Sequence, residues 1–131
     1  MDFLGRTIVA RVVNNIIWKN EIHMSEDVKP EEFRIRFNTI QGGWAGEGNL
    51  DQDPLFADPD RDDYHLKSQA GRWDPQTKAW VLDGVTSPCL DAGDPASNFS
   101  KEPEPNGGRI NMGAYGGTAQ ASKTPEIAVG P

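Results

Sequence analysis

The side chains best suited to chemistry lie between Trp44 and Asp63, in the stretch WAGEGNLDQDPLFADPDRDD. Within it Asp58, Asp60 and Asp62 alternate along the chain, the pattern by which hard cations such as calcium collect oxygen ligands. The run departs from an EF-hand loop. Counted from Asp58, the sixth position is Asp63 where that loop carries glycine, and the twelfth is Gln69 in place of glutamate. Calcium is thus the one cofactor the stretch suggests, and none is required. The alternative is a solvated turn whose aspartates accept hydrogen bonds from their own backbone amides. Trp44, Glu47, Asp51 and Asp53 form a second set, an aromatic face for a sugar ring beside carboxylates for its hydroxyls. Cleaving a glycoside takes two carboxyl groups either about 5 Å or roughly 6.5–9.5 Å apart, a separation that spacing along the chain does not give. Trp18, Trp73, Trp80, Tyr64 and Tyr115 could extend such a platform or cover a small, loop-rich core. Cys89, between Pro88 and Leu90, reads as a small buried residue rather than a nucleophile, because neither histidine has a readable partner. No catalytic residue is assigned.

The elements that must position these groups are short. The chain has 131 residues, with 14 glycines and 10 prolines against 36% hydrophobic residues, which calls for short strands and many turns in a single domain. Twenty acidic residues against 13 basic ones give a net charge of −7 and argue against a nucleic-acid partner. No run of 18 apolar residues is present, so a membrane span is not expected. The opening MDFLGRTIVARVV shows no signal peptide, and one cysteine with two histidines is too few for a structural zinc site.

Residues 7–20 and 34–41 are strand material, dense in β-branched side chains and closed by polar turn formers. They align at an offset of 23, with Val12 over Ile35, Asn15 over Asn38 and Ile17 over Ile40. Such a repeat suggests stacked coils, in which an asparagine tolerates the left-handed bend and hydrogen-bonds its equivalent one coil away. Tyr64-His65-Leu66 reads as a further short strand. Arg72-Trp73 and Lys78–Val81 read as the arms of a hairpin around Asp74-Pro75-Gln76-Thr77.

The segments NNIIWKN, IQGGWAGEGNLDQDPLFADPD, SPCLDAGDP and GGRINMGAYGGT, in that order, resemble the C-terminal part of bacterial right-handed parallel β-helix repeat proteins of the pectate-lyase-like superfamily. The likeness runs over residues 12–120. It implies a mainly β fold, a short right-handed parallel β-helix of about two coils over residues 1–43. A loop-rich closing segment with a hairpin would then fill residues 44–118, and residues 119–131 would fray. It also implies a secreted protein and, as a class of partner, polysaccharide.

Two coils spaced about 4.8 Å apart give a stack only about 10 Å high, with apolar side chains packed on one side only. Ile8, Val12, Ile16, Ile17, Ile35 and Phe37 are therefore expected to form the interface of a homodimer joined through the N-terminal coils. The function expected is that of a structural or interaction module, a β-helix end without catalysis. The alternative is a carbohydrate-binding or polysaccharide-cleaving module.

Overall fold

A computed structural model describes residues 10–19 and 33–126, so Ile8 of the expected interface lies outside the described residues. The protein is mainly β. Its strands are β1 (Ala10–Val13), β2 (Ile16–Ile17), β3 (Phe33–Arg36), β4 (Thr39–Ile40), β5 (Phe56–Asp58), β6 (Asp63–Leu66), β7 (Arg72–Asp74) and β8 (Ala79–Val81). A 3-10 turn, Pro59–Arg61, joins β5 to β6.

The 23-residue repeat is real and sets the first half of the fold. β1 pairs with β3 and β2 with β4, both parallel, placing Val12 beside Ile35 and Ile17 beside Ile40. At the two bends the carboxamide oxygen of Asn38 accepts from the backbone N–H of Asn15 at 2.9 Å and from its Nδ2 at 3.2 Å. Asn38 is wholly buried, and its own Nδ2 donates to the carbonyls of Val12 (2.7 Å) and Arg36 (2.9 Å). Buried backbone groups left open by a bend need such partners. The left-handed residue itself falls one position earlier than expected, at Asn14 (φ 63°) and Phe37 (φ 57°). The asparagine supplies hydrogen bonds while its neighbour turns the chain, so each run is two strands around a corner.

Among the described residues the strands do not close into the expected right-handed β-helix. There Leu50 extends the parallel stack, through an isolated bridge to Thr39 with hydrogen bonds from Leu50 N–H to the Asn38 carbonyl (2.7 Å) and from Ile40 N–H to the Leu50 carbonyl (2.8 Å). The chain then turns antiparallel: β5 pairs with β6 and β7 with β8. Hairpins join strands that are neighbours in sequence, so they abandon the long offset a coil requires. The result, among the described residues, is four two-stranded sheets, none closed into a helix. The second hairpin has Trp73 opposite Trp80, and its turn is built as its sequence predicts. Asp74 accepts from the Gln76 N–H and the Thr77 hydroxyl, both at 3.0 Å, and the Gln76 bond above all holds its carboxyl below the usual range.

The core forms where the parallel strands meet the later loops. Leu66, Cys89 and Met112 are buried together, with Ile16, Leu50, Phe56, Leu90 and Ala92 packed against them. Thr39 Oγ lies 3.1 Å from both Cys89 Sγ and Met112 Sδ. Cys89 has no exposed surface, as expected, and burial pushes its thiol up. Residues 119–126, expected to fray, are instead tied in: Lys123 N–H donates to the Gly71 carbonyl (2.8 Å), Asn111 Nδ2 donates to the Ser122 carbonyl (2.9 Å), and Ala121 is buried. The rest of that tail, 127–131, lies outside the described residues.

This packing also changes the expected interface. Ile35 and Phe37 are each only 7% exposed within one chain. Gly48 sits against the Phe37 ring, where an added Cβ would fall 2.2 Å from Cδ1, and the Arg109 guanidinium lies 5.4 Å from the ring centroid. Both residues are thus largely covered within one chain. Val12, Ile16 and Ile17 are half-buried.

Candidate functional site

The β2 corner and the first hairpin bring three aromatic rings to one surface. Trp18 follows β2 directly, Phe56 opens β5, and Tyr64 lies on β6. All three line a pair of adjoining half-open depressions of about 420 and 490 Å³. Each is in the size range of small-molecule sites. Phe56 meets Tyr64 edge-on, with ring centroids 5.2 Å apart and planes at 84°. Tyr64 is 42% exposed, and its hydroxyl reaches Asp62 Oδ1 at 3.4 Å. A partly exposed aromatic ring packed against a second ring can serve as a platform for a flat ligand.

The two depressions differ in character. The first continues over Asn15, Ile16, Gly113 and Ala114, and none of the described residues in its wall is charged. Its floor is fixed by the Gly113 N–H, which donates to the Asn14 carbonyl at 2.8 Å. The second is walled by Lys19, Asp53, Asp60 and Lys67. Lys19 N–H donates to Gln41 Oε1 (2.6 Å), Lys67 N–H to the Leu55 carbonyl (3.0 Å), and Leu55 N–H to Asp53 Oδ1 (2.9 Å).

The acidic stretch is divided among separate tasks. Asp58 faces Arg61 at 3.6 Å, Asp60 points into the second depression, and Asp62 closes the 3-10 turn in the left-handed region, its N–H bonded to the Pro59 carbonyl at 3.1 Å. Among the described residues no group of three or more His, Cys, Asp or Glu side chains is arranged to hold a metal ion. The members of the sugar-binding set make contacts of their own. Glu47 pairs with Arg36 at 3.6 Å, Asp51 Oδ1 accepts from the Gly42 N–H at 3.1 Å, and the Trp44 carbonyl accepts from Asn49 Nδ2 at 3.1 Å. Of the four, Asp53 lines the groove. Phe56, Lys19 and Lys67 were not singled out in the sequence. The available signal was the Phe56–Tyr64 pair, two aromatics bracketing a proline- and aspartate-rich turn.

The remaining aromatics serve the scaffold. Trp73 packs edge-on against Trp80 at 5.5 Å, and Lys123 Nζ sits 4.4 Å from the Trp80 ring. Tyr115 stacks on His65 with centroids 3.6 Å apart. His65 is 2% exposed, with Nδ1 2.6 Å from Asp63 and Nε2 2.9 Å from Gln120, so both ring nitrogens are engaged.

Glu102 is the buried carboxyl that titrates out of range. It is 4% exposed; Oε2 accepts from the N–H groups of Asn111 (2.8 Å) and Gly117 (2.9 Å), while the buried Oε1 has no partner among the described residues. Burial raises its pKa; the two N–H donors oppose the rise and the charge of Asp91 adds to it. A raised folded-state value means that the protonated form favours the fold. Stability from this group is complete below the unfolded glutamate value of about 4.3 and is lost as pH climbs through the higher folded value. Glu102→Gln has nothing to lose on that climb. The melting temperature of the variant relative to wild type is expected to rise with pH from about 4.3 upward, and a flat difference across that window would contradict the burial argument.

Residues 37–93 match a protein-family model described as disaggregatase related, which spans less than half of the chain. That finding, with four open two-stranded sheets, replaces the pectate-lyase-like, parallel β-helix resemblance. No curated protein and no solved structure was found to match the chain.

Proposed function

We propose that this protein is a glycan-binding module that breaks no bond, and that the Trp18–Phe56–Tyr64 groove is its binding face. The observation that supports this most is the exposed Tyr64 ring, braced edge-on by Phe56 and set in a groove with both neutral and ionic walls. Pyranose rings present an apolar C–H face to an aromatic ring and hydroxyls to the polar groups around it. Asp53, Asp60, Lys19 and Lys67 offer acceptors and donors of that kind.

A glycan array probed with wild type and Tyr64→Ala tests the reading. Wild type is expected to retain at least one polysaccharide class, and the variant to lose it by about tenfold or more in affinity, as central aromatic contacts do. Absence of any wild-type hit, or equal binding by the variant, overturns it. This reading needs no metal ion in the groove, so melting curves in excess chelator and in millimolar calcium are expected to coincide. Stabilisation by calcium would return an ion to the Asp58–Asp62 run by mass action.

A further inference from the structure

We infer that Asn106 is a site of spontaneous modification: in the folded protein the backbone nitrogen of Gly107 attacks its carboxamide and converts it to aspartate and isoaspartate. This is independent of the glycan reading. Asn106 is the one asparagine of the chain that is followed by glycine, in the segment EPEPNGGR. The fold holds the pair in a form suited to the attack. Asn106 Oδ1 accepts from the Gly108 N–H at 3.1 Å, so the side chain is folded forward along the two peptides that follow it. The ring closed by that bond contains both Asn106 Cγ and the Gly107 nitrogen. The Gly108 N–H also stands where negative charge develops on Oδ1 during addition, the role of an oxyanion donor. Gly107 is exposed, and its own N–H has no acceptor among the described residues, so base can reach the proton. A bulkier, slower residue does not fit there. The Gly107 φ is +62°, and an added Cβ would fall 2.2 Å from Asp91 Oδ2.

Water is the one co-reactant required. Base removes the Gly107 amide proton, the nitrogen bonds to Cγ, the Cγ–Nδ2 bond breaks and ammonia leaves. Water then opens the cyclic imide at either carbonyl. The product adds one negative charge to the chain's −7 and gives up the bond from Asn106 Nδ2 to the Glu102 carbonyl (3.3 Å). Two other residues serve as internal controls. Asn98 makes the same turn, its Oδ1 accepting from the Ser100 N–H at 2.8 Å, but Phe99 follows it, and a side chain there crowds the attacking nitrogen. Asp83 precedes Gly84, but Arg72 (2.9 and 3.0 Å) and the Ser68 N–H (2.9 Å) hold its carboxylate, and an ionised carboxylate is a poor electrophile.

The test is to incubate the wild-type protein, folded and in urea, at mildly alkaline pH. The tryptic peptide of residues 102–109 is followed by mass spectrometry and by labelling with an isoaspartate methyltransferase. Conversion at Asn106 is expected to be about tenfold or more faster than at Asn98, and at least as fast in the folded protein as in urea. Asn106→Gln, which would have to close a larger ring, is expected to leave that peptide unlabelled. Slower conversion in the folded protein than in urea, or Asn98 reacting as fast as Asn106, overturns the inference.

Discussion

Asn38→Ala is expected to lower the unfolding free energy by about 3–5 kcal/mol, the most any single polar truncation here should cost. The Asn38 carboxamide serves four groups at once: it accepts from the Asn15 N–H and Nδ2 and donates to the carbonyls of Val12 and Arg36. Removal leaves backbone groups of two strands without partners in a place where Asn38 itself has no exposed surface. Each stranded group costs on the order of 1–3 kcal/mol, and such costs do not simply add. Asn15 is exposed, so Asn15→Ala should cost about 1 kcal/mol or less despite its equivalent place in the repeat. Asn38→Asp keeps the size and loses the donors, and it sets a second carboxylate oxygen against two carbonyls. It should be as damaging as alanine at neutral pH. Urea titration of the three variants decides the matter, and Asn38→Ala within about 1 kcal/mol of wild type would mean the corner is held by something else.

The second large effect is expected at Met112. Its side chain is 1% exposed, joins Leu66 and Cys89 in the core, and its sulfur accepts from the Thr39 hydroxyl at 3.1 Å. Met112→Ala opens a cavity between the parallel strands and the closing loops and should cost about 2–5 kcal/mol. Leu82, 75% exposed, supplies the comparison: Leu82→Ala should lie within about 0.5 kcal/mol of wild type. Equal losses at the two sites would place the core elsewhere.

The parts of the fold that could be read from sequence are those with local or repeated causes. The offset between Val12–Ile17 and Ile35–Ile40 is visible because β-branched residues and a matching asparagine recur, and parallel pairing at that register buries both runs on the same face. The Asp74–Thr77 turn is legible because aspartate, proline and threonine each have a mechanical role in it. The continuation into a β-helix failed after Leu50, where local turn chemistry around Pro54 and Pro59 took the chain into hairpins. The left-handed Phe37 was also illegible, since a bulky residue there is disfavoured unless packing fixes it.

The groove was the least legible feature. The sequence marked Trp44, Glu47, Asp51 and Asp53 as neighbours, yet proximity in the chain does not make a surface. Trp18, Tyr64 and Ala114 meet because Gly113 binds the Asn14 carbonyl and the β5–β6 hairpin folds back beside the β2 corner. Likewise Ile35 and Phe37 looked like an open end because the loops that cover them lie later in the chain, Arg109 among them.

The most direct measurement is the response of the four tryptophan indole N–H signals to an oligosaccharide bound by the wild-type protein, followed by two-dimensional NMR. Saturating ligand is expected to move the Trp18 signal and the backbone amides of Phe56, Tyr64 and Lys67. Trp73 and Trp80, paired with each other in the second hairpin, should stay in place. Shifts confined to Trp73, Trp80 or Trp44, with Trp18 and Tyr64 unmoved, would contradict binding at the aromatic groove.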